Sequence, residues 1–290
     1  MSFSAACGFE DQVAVNIPLS LEKVSAPVAA KVAVLEAGLR AHAPLLIAYS
    51  GGVDSACLLA LAHRTLGERM LGVIADSPSL PRHALADALA LARQLGAPLE
   101  VIATAEMDNP DYASNPPNRC YFCKAELFAN LERLARERRF AAIAYGENAD
   151  DPAHLRPGSQ AAREYAVLAP LRQAGLTKAE IREISRALNL PTADAPAQPC
   201  LSSRIAHGTP VTLEALGMVE RGEAHLRTFG FRVFRVRHLV SGDGQPFARV
   251  QVAPEEMDRL PALRPEVETG LRAIGYRSVE IDPNGYRAAH

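Results

Sequence analysis

The chain has 290 residues, 48% hydrophobic and 22% charged with no low-complexity tract, which excludes a disordered polymer and suits two domains with ample core better than one. A formal net charge of −2 excludes the global basic footprint of a nucleic-acid binder and leaves a small molecule as the expected partner, although local runs such as Arg133 to Arg139 exist. The opening residues lack a basic-then-apolar signal pattern, and no apolar stretch approaches the roughly 18 to 20 residues that span a bilayer, so a cytoplasmic protein without a membrane partner is expected.

In chain order, a helix is predicted from about Ala26 to Arg40, then a strand buried on both faces at Leu45 to Tyr49 and a helix from Asp54 to about Leu66. The pattern repeats with a strand at Leu71 to Ala75, a helix from Pro81 to Leu95 stopped near Gly96, and a strand at Leu99 to Ala103. Lys124 to Arg139 reads as an amphipathic helix and Ala141 to Tyr145 as a strand. Thr177-Lys178-Ala179-Glu180 reads as a capping box opening a helix that ends before Pro191. This alternation predicts an α/β fold, a doubly wound parallel sheet with right-handed crossovers.

Between Leu190 and Pro210, four prolines (Pro191, Pro196, Pro199, Pro210) forbid a continuous helix. The expected boundary lies there, with an ATP-binding domain over 1–198 and a smaller C-terminal α+β domain over 199–290. The latter is predicted to hold a helix from Thr212 to Thr228, strands at Phe231 to Val240 and Phe247 to Val252 joined by the turn Ser241 to Gly244, a helix near Pro265 to Ile274 and a strand at Ser278 to Ile281.

The strand-to-helix turn Ser50-Gly51-Gly52-Val53-Asp54-Ser55 is the first sign of chemistry. Its glycines open conformations closed to other residues, so successive N–H groups converge on one anion, and the helix N-terminus adds partial positive charge. The two serine hydroxyls offer further bonds to phosphate oxygens; Asp54 either caps the helix or approaches Mg2+. A Walker P-loop would end in Gly-Lys-Ser/Thr, and a dinucleotide fingerprint would space its third glycine differently; neither is present. Asp76 and Ser77 close the next strand, at the lip where a nucleotide would rest, though Asp76 equally suits the opening of a helix.

Five cysteines, an odd number without a secretion pattern, point to metal binding or catalysis rather than a disulfide scaffold. Cys120 and Cys123 form a Cys-x-x-Cys pair at the mouth of a helix, which is expected to depress their pKa values; alone, such a pair reads equally as a redox couple or half a zinc site. Cys200, in the stiff loop Pro199-Cys200-Leu201-Ser202-Ser203-Arg204, supplies a third thiol. Three thiols suit a [4Fe-4S] cluster with one open iron better than a closed zinc site, and direct thiol chemistry by Cys200 is the alternative. Cys57, among Leu58 and Leu59, reads as a core residue, and Cys7 receives no assignment.

Together, Ser50–Ser55, Ala75–Arg82, Arg119–Lys124, Tyr145–Asp151 with Arg156–Gly158, and Pro199–Ile205 resemble the LarE family, over most of the chain. The resemblance implies a PP-loop ATP pyrophosphatase fold and an ATP-dependent sulfur transferase. Such an enzyme adenylates the carboxylates of pyridinium-3,5-biscarboxylic acid mononucleotide and converts them to thiocarboxylates for the nickel-pincer cofactor of lactate racemase. It implies ATP and Mg2+ as cofactors, a homo-oligomer, and either a sacrificial Cys200 that becomes dehydroalanine or, in a three-cysteine subgroup, a [4Fe-4S] cluster fed by sulfide or a cysteine desulfurase. Cys120 and Cys123 align the chain with that subgroup.

A substrate bearing carboxylates and a phosphate calls for arginine clamps. Strand alternation puts Arg235 and Arg237 on one face, with Arg232 and His238 on the other; Arg204 shares the stiff loop with Cys200. Glu223 either orients an arginine, binds a metal, or belongs to a solvated helix face. Asn148, Asp150 and Asp151 either steer Mg2+ or serve as turn residues. The rival readings are a tRNA-thiolating PP-loop enzyme with a three-cysteine cluster and a non-catalytic ATP or redox sensor.

Overall fold

The computed structural model describes residues 17, 19–152, 157–196 and 199–286. Cys7 and Arg156 lie outside the described residues. The first layer comprises α1 (Ala26–Ala41), β1 (Leu45–Ala48), α2 (Val53–Leu66), β2 (Met70–Asp76), α3 (Arg82–Leu95), β3 (Leu99–Ala103), α4 (Pro110–Ala113), α5 (Arg119–Arg138), β4 (Ala142–Tyr145), α6 (Pro157–Glu164), α7 (Pro170–Gln173) and α8 (Lys178–Ala187). Four strands pair in the order β3-β2-β1-β4, all parallel.

Because successive strand residues face opposite ways, Leu45 and Ile47 of β1 join a core shared with α1, α2, α3 and α8, while Leu46 and Ala48 pack on Phe128 and Leu131 of α5 and Ala161 of α6. Both faces are covered, which is why β1 is apolar throughout. The chain adds β2 and β3 on one side of β1 and then β4 on the other, so a crevice opens beyond the carboxyl ends of β1 and β4.

The expected stop of α3 is borne out by Gly96 in the left-handed region, and the capping box of α8 by reciprocal Thr177–Glu180 bonds. The helix assigned to Lys124–Arg139 begins at Arg119, so Cys120 and Cys123 lie inside its first turns. Its start has no single apolar stripe: Tyr121 packs on the Phe128 core, whereas Phe122 and Cys123 face Tyr112 and Leu201 on the other side.

The second layer holds α9 (Leu213–Thr228), β5 (Phe234–Val240), β6 (Pro246–Val252), α10 (Leu260–Ile274) and β7 (Ser278–Ile281). β5 and β6 are antiparallel and β7 runs parallel to β6. Val236, Val250 and Val252 meet Leu226, Val267 and Leu271 in a separate core, while Arg235, Arg237, Arg249 and Gln251 occupy the opposite face. The helix expected near Pro265 starts earlier, at Leu260, and carries Pro265 inside it. Between the layers, Leu201, Ile205 and Val211 cluster with Tyr112 of α4 and with Leu216 and Val219 of α9. Among the described residues no helix is long and apolar enough to cross a membrane.

Candidate active site

The phosphate-type turn sits at the crevice. Gly51 has φ 76°, and a Cβ there would stand 3.0 Å from the Cβ of Ala88, so α3 closes on the turn as tightly as glycine allows. Gly52 precedes α2, and Val53 opens it. The Ser50 and Ser55 hydroxyls meet at 3.0 Å, and Ser55 Oγ also accepts from Ser50 N and donates to Gly52 O. Asp54 Oδ2 accepts from Lys178 Nζ at 2.8 Å, while Asp54 Oδ1 is buried without a hydrogen-bond partner among the described residues. After β4, Gly146 backs onto the start of α2: a Cβ there would lie 2.7 Å from Ser55 N. Asn148 Oδ1 accepts from the Asp150 and Asp151 amides, and Asp150 Oδ2 accepts from Lys178 N, so these residues build a turn that leads Lys178 to Asp54.

At the end of β2, Asp76 pairs with Arg82 at 2.5 Å, and Pro81 rather than Asp76 occupies the cap position of α3. Ser77 is buried, donates to the buried carboxylate of Glu106, and accepts from Ser79 N at 3.0 Å. Ser79 Oγ then contacts Tyr112 Oη at 2.5 Å and Ser202 Oγ at 2.6 Å, and the last two meet at 2.8 Å. Leu201 N donates to Ser79 O at 2.8 Å, and Arg119 Nη1 to Ser202 O at 2.9 Å. The loop carrying Cys200 is thereby fastened to the β2 lip and to the start of α5 by buried hydrogen bonds. Such bonds cost roughly 1–3 kcal/mol when a partner is left unsatisfied.

That fastening brings the expected thiols into one neighbourhood. Cys120 is exposed, and Cys123 and Cys200 are half-buried. The Cys123 thiol is pushed up to about 12, first by burial, with Cys200, Glu106 and Cys120 adding to it and Lys124 opposing. The expected depression at Cys123 is therefore corrected: loss of solvent outweighs the helix N-terminal charge. Among the described residues no three His, Cys, Asp or Glu side chains are grouped to hold a metal ion. Cys57 is fully buried with its thiol pushed up to about 12 by desolvation, as a core residue should be.

Arg204 is 6% exposed and forms a two-pronged pair with Glu223, at 2.7 and 3.1 Å; its remaining nitrogen donates to Pro199 O, Cys200 O and Ser203 Oγ. Glu223 is 4% exposed, so the solvated-face reading is overturned and its orienting of an arginine is the geometry found. Arg235 stacks on Tyr286 with its guanidinium carbon 4.1 Å from the ring centroid and donates to its hydroxyl. Arg237 on the same face donates to Gln251 and to Ser203 O, both at 3.0 Å. Burial, more than any neighbour, lowers the pKa of both arginines.

Comparison with known proteins completes the picture. Residues 32–152 match the NAD synthase family model. An uncharacterized protein of Synechocystis sp. is 42% identical, covering 84% of this chain and 90% of its own. A pyridinium-3,5-bisthiocarboxylic acid mononucleotide synthase of Lactiplantibacillus plantarum is 28% identical across 91% of this chain and 94% of its own, and an uncharacterized protein of Methanocaldococcus jannaschii is 26% identical across 84% and 91%. The chain belongs to the LarE family. As a LarE-family protein with an NAD synthase-like PP-loop domain, it is an ATP-using enzyme.

Several residues of this LarE-family site escaped the sequence. Lys178 lies 124 positions from Asp54, and Tyr112 lies 90 from Ser202. The serines of Ala75–Arg82 and Pro199–Ile205 were visible as motif letters, but Tyr112, Glu106 and Lys178 carried no signal beyond ordinary helix and loop composition.

Proposed function

We propose that this protein is an ATP-dependent sulfur transferase acting on pyridinium-3,5-biscarboxylic acid mononucleotide. The observation that carries the reading is the 2.8 Å bond from Leu201 N to Ser79 O: it holds the residue next to Cys200 against the lip of the nucleotide crevice. The likeness to the Lactiplantibacillus plantarum synthase supplies the substrate class. On this reading residues 1–198 bind the nucleotide and 199–290 bring substrate and sulfur.

Ser50, Gly51, Gly52, Val53 and Ser55 cradle the β- and γ-phosphates through backbone N–H groups and hydroxyls, with Asp76 and Ser77 at the far lip. Asp54 Oδ1, a buried carboxylate oxygen without a hydrogen-bond partner among the described residues, fits the hard-oxygen preference of the Mg2+ that accompanies ATP. A substrate carboxylate attacks the α-phosphorus and pyrophosphate departs, leaving an acyl adenylate. The Cys200 sulfur then attacks the acyl carbon and AMP departs with the bonding pair, giving a thioester. Removal of the Cys200 α-proton with cleavage of the Cβ–S bond releases the thiocarboxylate and leaves dehydroalanine. Arg204, held by Glu223, fixes the backbone carbonyls of Pro199 and Cys200, and Arg235 and Arg237 offer charge to the substrate.

A four-iron cluster on Cys120, Cys123 and Cys200 would draw on suitably soft donors. No finished ligand triad exists among the described residues, however, so no step runs through one.

Incubation with ATP, Mg2+ and the dicarboxylate mononucleotide should yield AMP, pyrophosphate and a thiolated product, with the protein lighter by about 34 Da, the mass of H2S, where Cys200 gives up its sulfur. Cys200→Ala should release pyrophosphate and stop there. Thiolated product from Cys200→Ala would sink the role of this residue, and pyrophosphate release indifferent to the mononucleotide would sink the substrate.

A further inference from the structure

Each of the two sheets ends in two edge strands, and among the described residues three of these edges are protected. The outer side of β4 is taken by Leu168, which exchanges hydrogen bonds with Ile143 and Tyr145, and Ile205 bridges to His238 of β5. β7 is four residues long and carries an exposed charge, Glu280, a feature that discourages pairing. β3 lacks such protection. Gly72 N donates to Pro98 O, and in the parallel register with β2 this phase turns the N–H and C=O groups of Leu99, Val101 and Ala103 away from the sheet. Among the described residues none of those six groups takes a hydrogen bond. Val101, at the middle of the row, is an apolar side chain left 44% exposed.

Between β3 and α5 lies an open groove of about 760 Å³, with Ile102 and Leu134 among its apolar lining and with Arg133, Glu137 and the Glu100–Arg138 ion pair beside them. Arg133 and Glu137 stand four residues apart on one helix, yet neither forms an ion pair with the other or with any described residue, in keeping with the weaker order of Arg before Glu. α5 runs antiparallel to β3: Glu126 accepts from Ala105 N towards one end, and Arg138 reaches Glu100 towards the other. At about 1.5 Å per helix residue and 3.3 Å per strand residue, Val101 is level with Ala135 or Arg136. The pair Arg133 and Glu137 therefore straddles the level of Val101, one charge on either side of it.

We infer that β3 pairs, antiparallel, with β3 of a second copy of this chain about a two-fold axis at Val101. Val101 then faces the partner's Val101, and Leu99 faces the partner's Ala103, so that all six outward backbone groups of each strand are bonded. The same axis sets Arg133 opposite the partner's Glu137 and Glu137 opposite the partner's Arg133, the reciprocal match that a two-fold contact requires. Two four-stranded sheets become one of eight, and β1, which carries the phosphate turn, lies two strands from the joint with its crevice open. The pairing is independent of the sulfur-transfer reading.

The test is sedimentation velocity of the full chain over a range of concentrations, with circular dichroism of each variant as the control for folding. The wild type should sediment as an even number of copies. Val101→Lys, which sets like charges face to face at the axis, should weaken pairing at least about tenfold. Arg133→Glu and Glu137→Arg should each weaken it by a similar factor, about tenfold, and the double variant that exchanges the two charges should return to within about threefold of the wild type. Val101→Cys should link two copies through position 101 on mild oxidation, identified by peptide mass, because residues paired across such an axis have Cα atoms about 5.5 Å apart. Val34→Cys, equally exposed on α1, should give no such link. A monomer, a dimer indifferent to Val101→Lys, or a double charge variant that stays as weak as the single ones would each overturn the pairing. So would a monomer whose Leu99, Val101 and Ala103 amides resist hydrogen exchange, which would hand the edge to another segment of the same chain.

Discussion

Arg204 and Arg227 both line one cleft, yet they live in opposite electrostatic worlds. Arg204 is buried, held by Glu223 and three oxygens of its own loop, and its charge is consumed where it stands. Arg227 is exposed, stacked on Phe234 and unmatched by any carboxylate among the described residues. An arginine inside a pocket is therefore not by itself a ligand clamp. What decides is whether an acidic partner has already taken the fork, and Arg204 is better understood as the strut that shapes the Cys200 loop.

The sharpest way to break that contrast is Glu223→Ala, which strands the Arg204 charge in the interior. A loss of about 3–5 kcal/mol is expected in denaturant unfolding, whereas Arg227→Ala should stay within about 0.5 kcal/mol. Equal effects would erase the distinction. Next in size, Gly146→Ala drives a Cβ against Ser55 N and should displace the start of α2. About 1–3 kcal/mol of stability should be lost, together with most ATP-dependent pyrophosphate release. Full release would show that the close approach is not needed by the phosphate turn.

Smaller still is Tyr112→Phe, which keeps the ring but removes one hydroxyl from the Ser79–Tyr112–Ser202 group. About 1–2 kcal/mol is expected, along with faster alkylation of Cys200, read by peptide mass mapping, as its loop loosens. Unaltered alkylation would separate the hydroxyl group from the thiol. The mildest effect concerns pH. His238 is buried with Nδ1 unpartnered among the described residues, and desolvation lowers its pKa below the ordinary imidazole value, opposed by Glu214. Its contribution to stability is present above pH about 6.5 and is lost as the pH falls through the lowered folded-state value. His238→Leu should flatten that acid limb in thermal melts; an identical limb would exonerate the residue. His83 acts in the same direction, facing Arg227, Asp87, Glu223 and Glu220.

Much of this molecule was legible because periodicity is local. The run Leu45–Ala48 is apolar at every position, and only a strand covered on both faces needs that. The glycine turn announced an anion, and the Cys200 loop announced itself by prolines that stop a helix. The start of α5 was missed because its first turn divides its apolar side chains between two cores, which blurs the 3.6-residue stripe. Glu223 was ambiguous for a related reason: a glutamate on an amphipathic helix looks the same in sequence whether it meets water or Arg204.

The sequence by itself determined the sheet, the phosphate turn, the family and the residue types available for sulfur chemistry, because each follows from contacts within a few residues or from a short motif. Only the tertiary structure decided which charges cancel and which remain. The pairs Lys178–Asp54, Arg204–Glu223 and Tyr112–Ser202, and the company Arg227 keeps with Phe234 and His83, depend on helices and loops far apart in the chain being packed side by side. The strength of each charge depends on the water that packing removes.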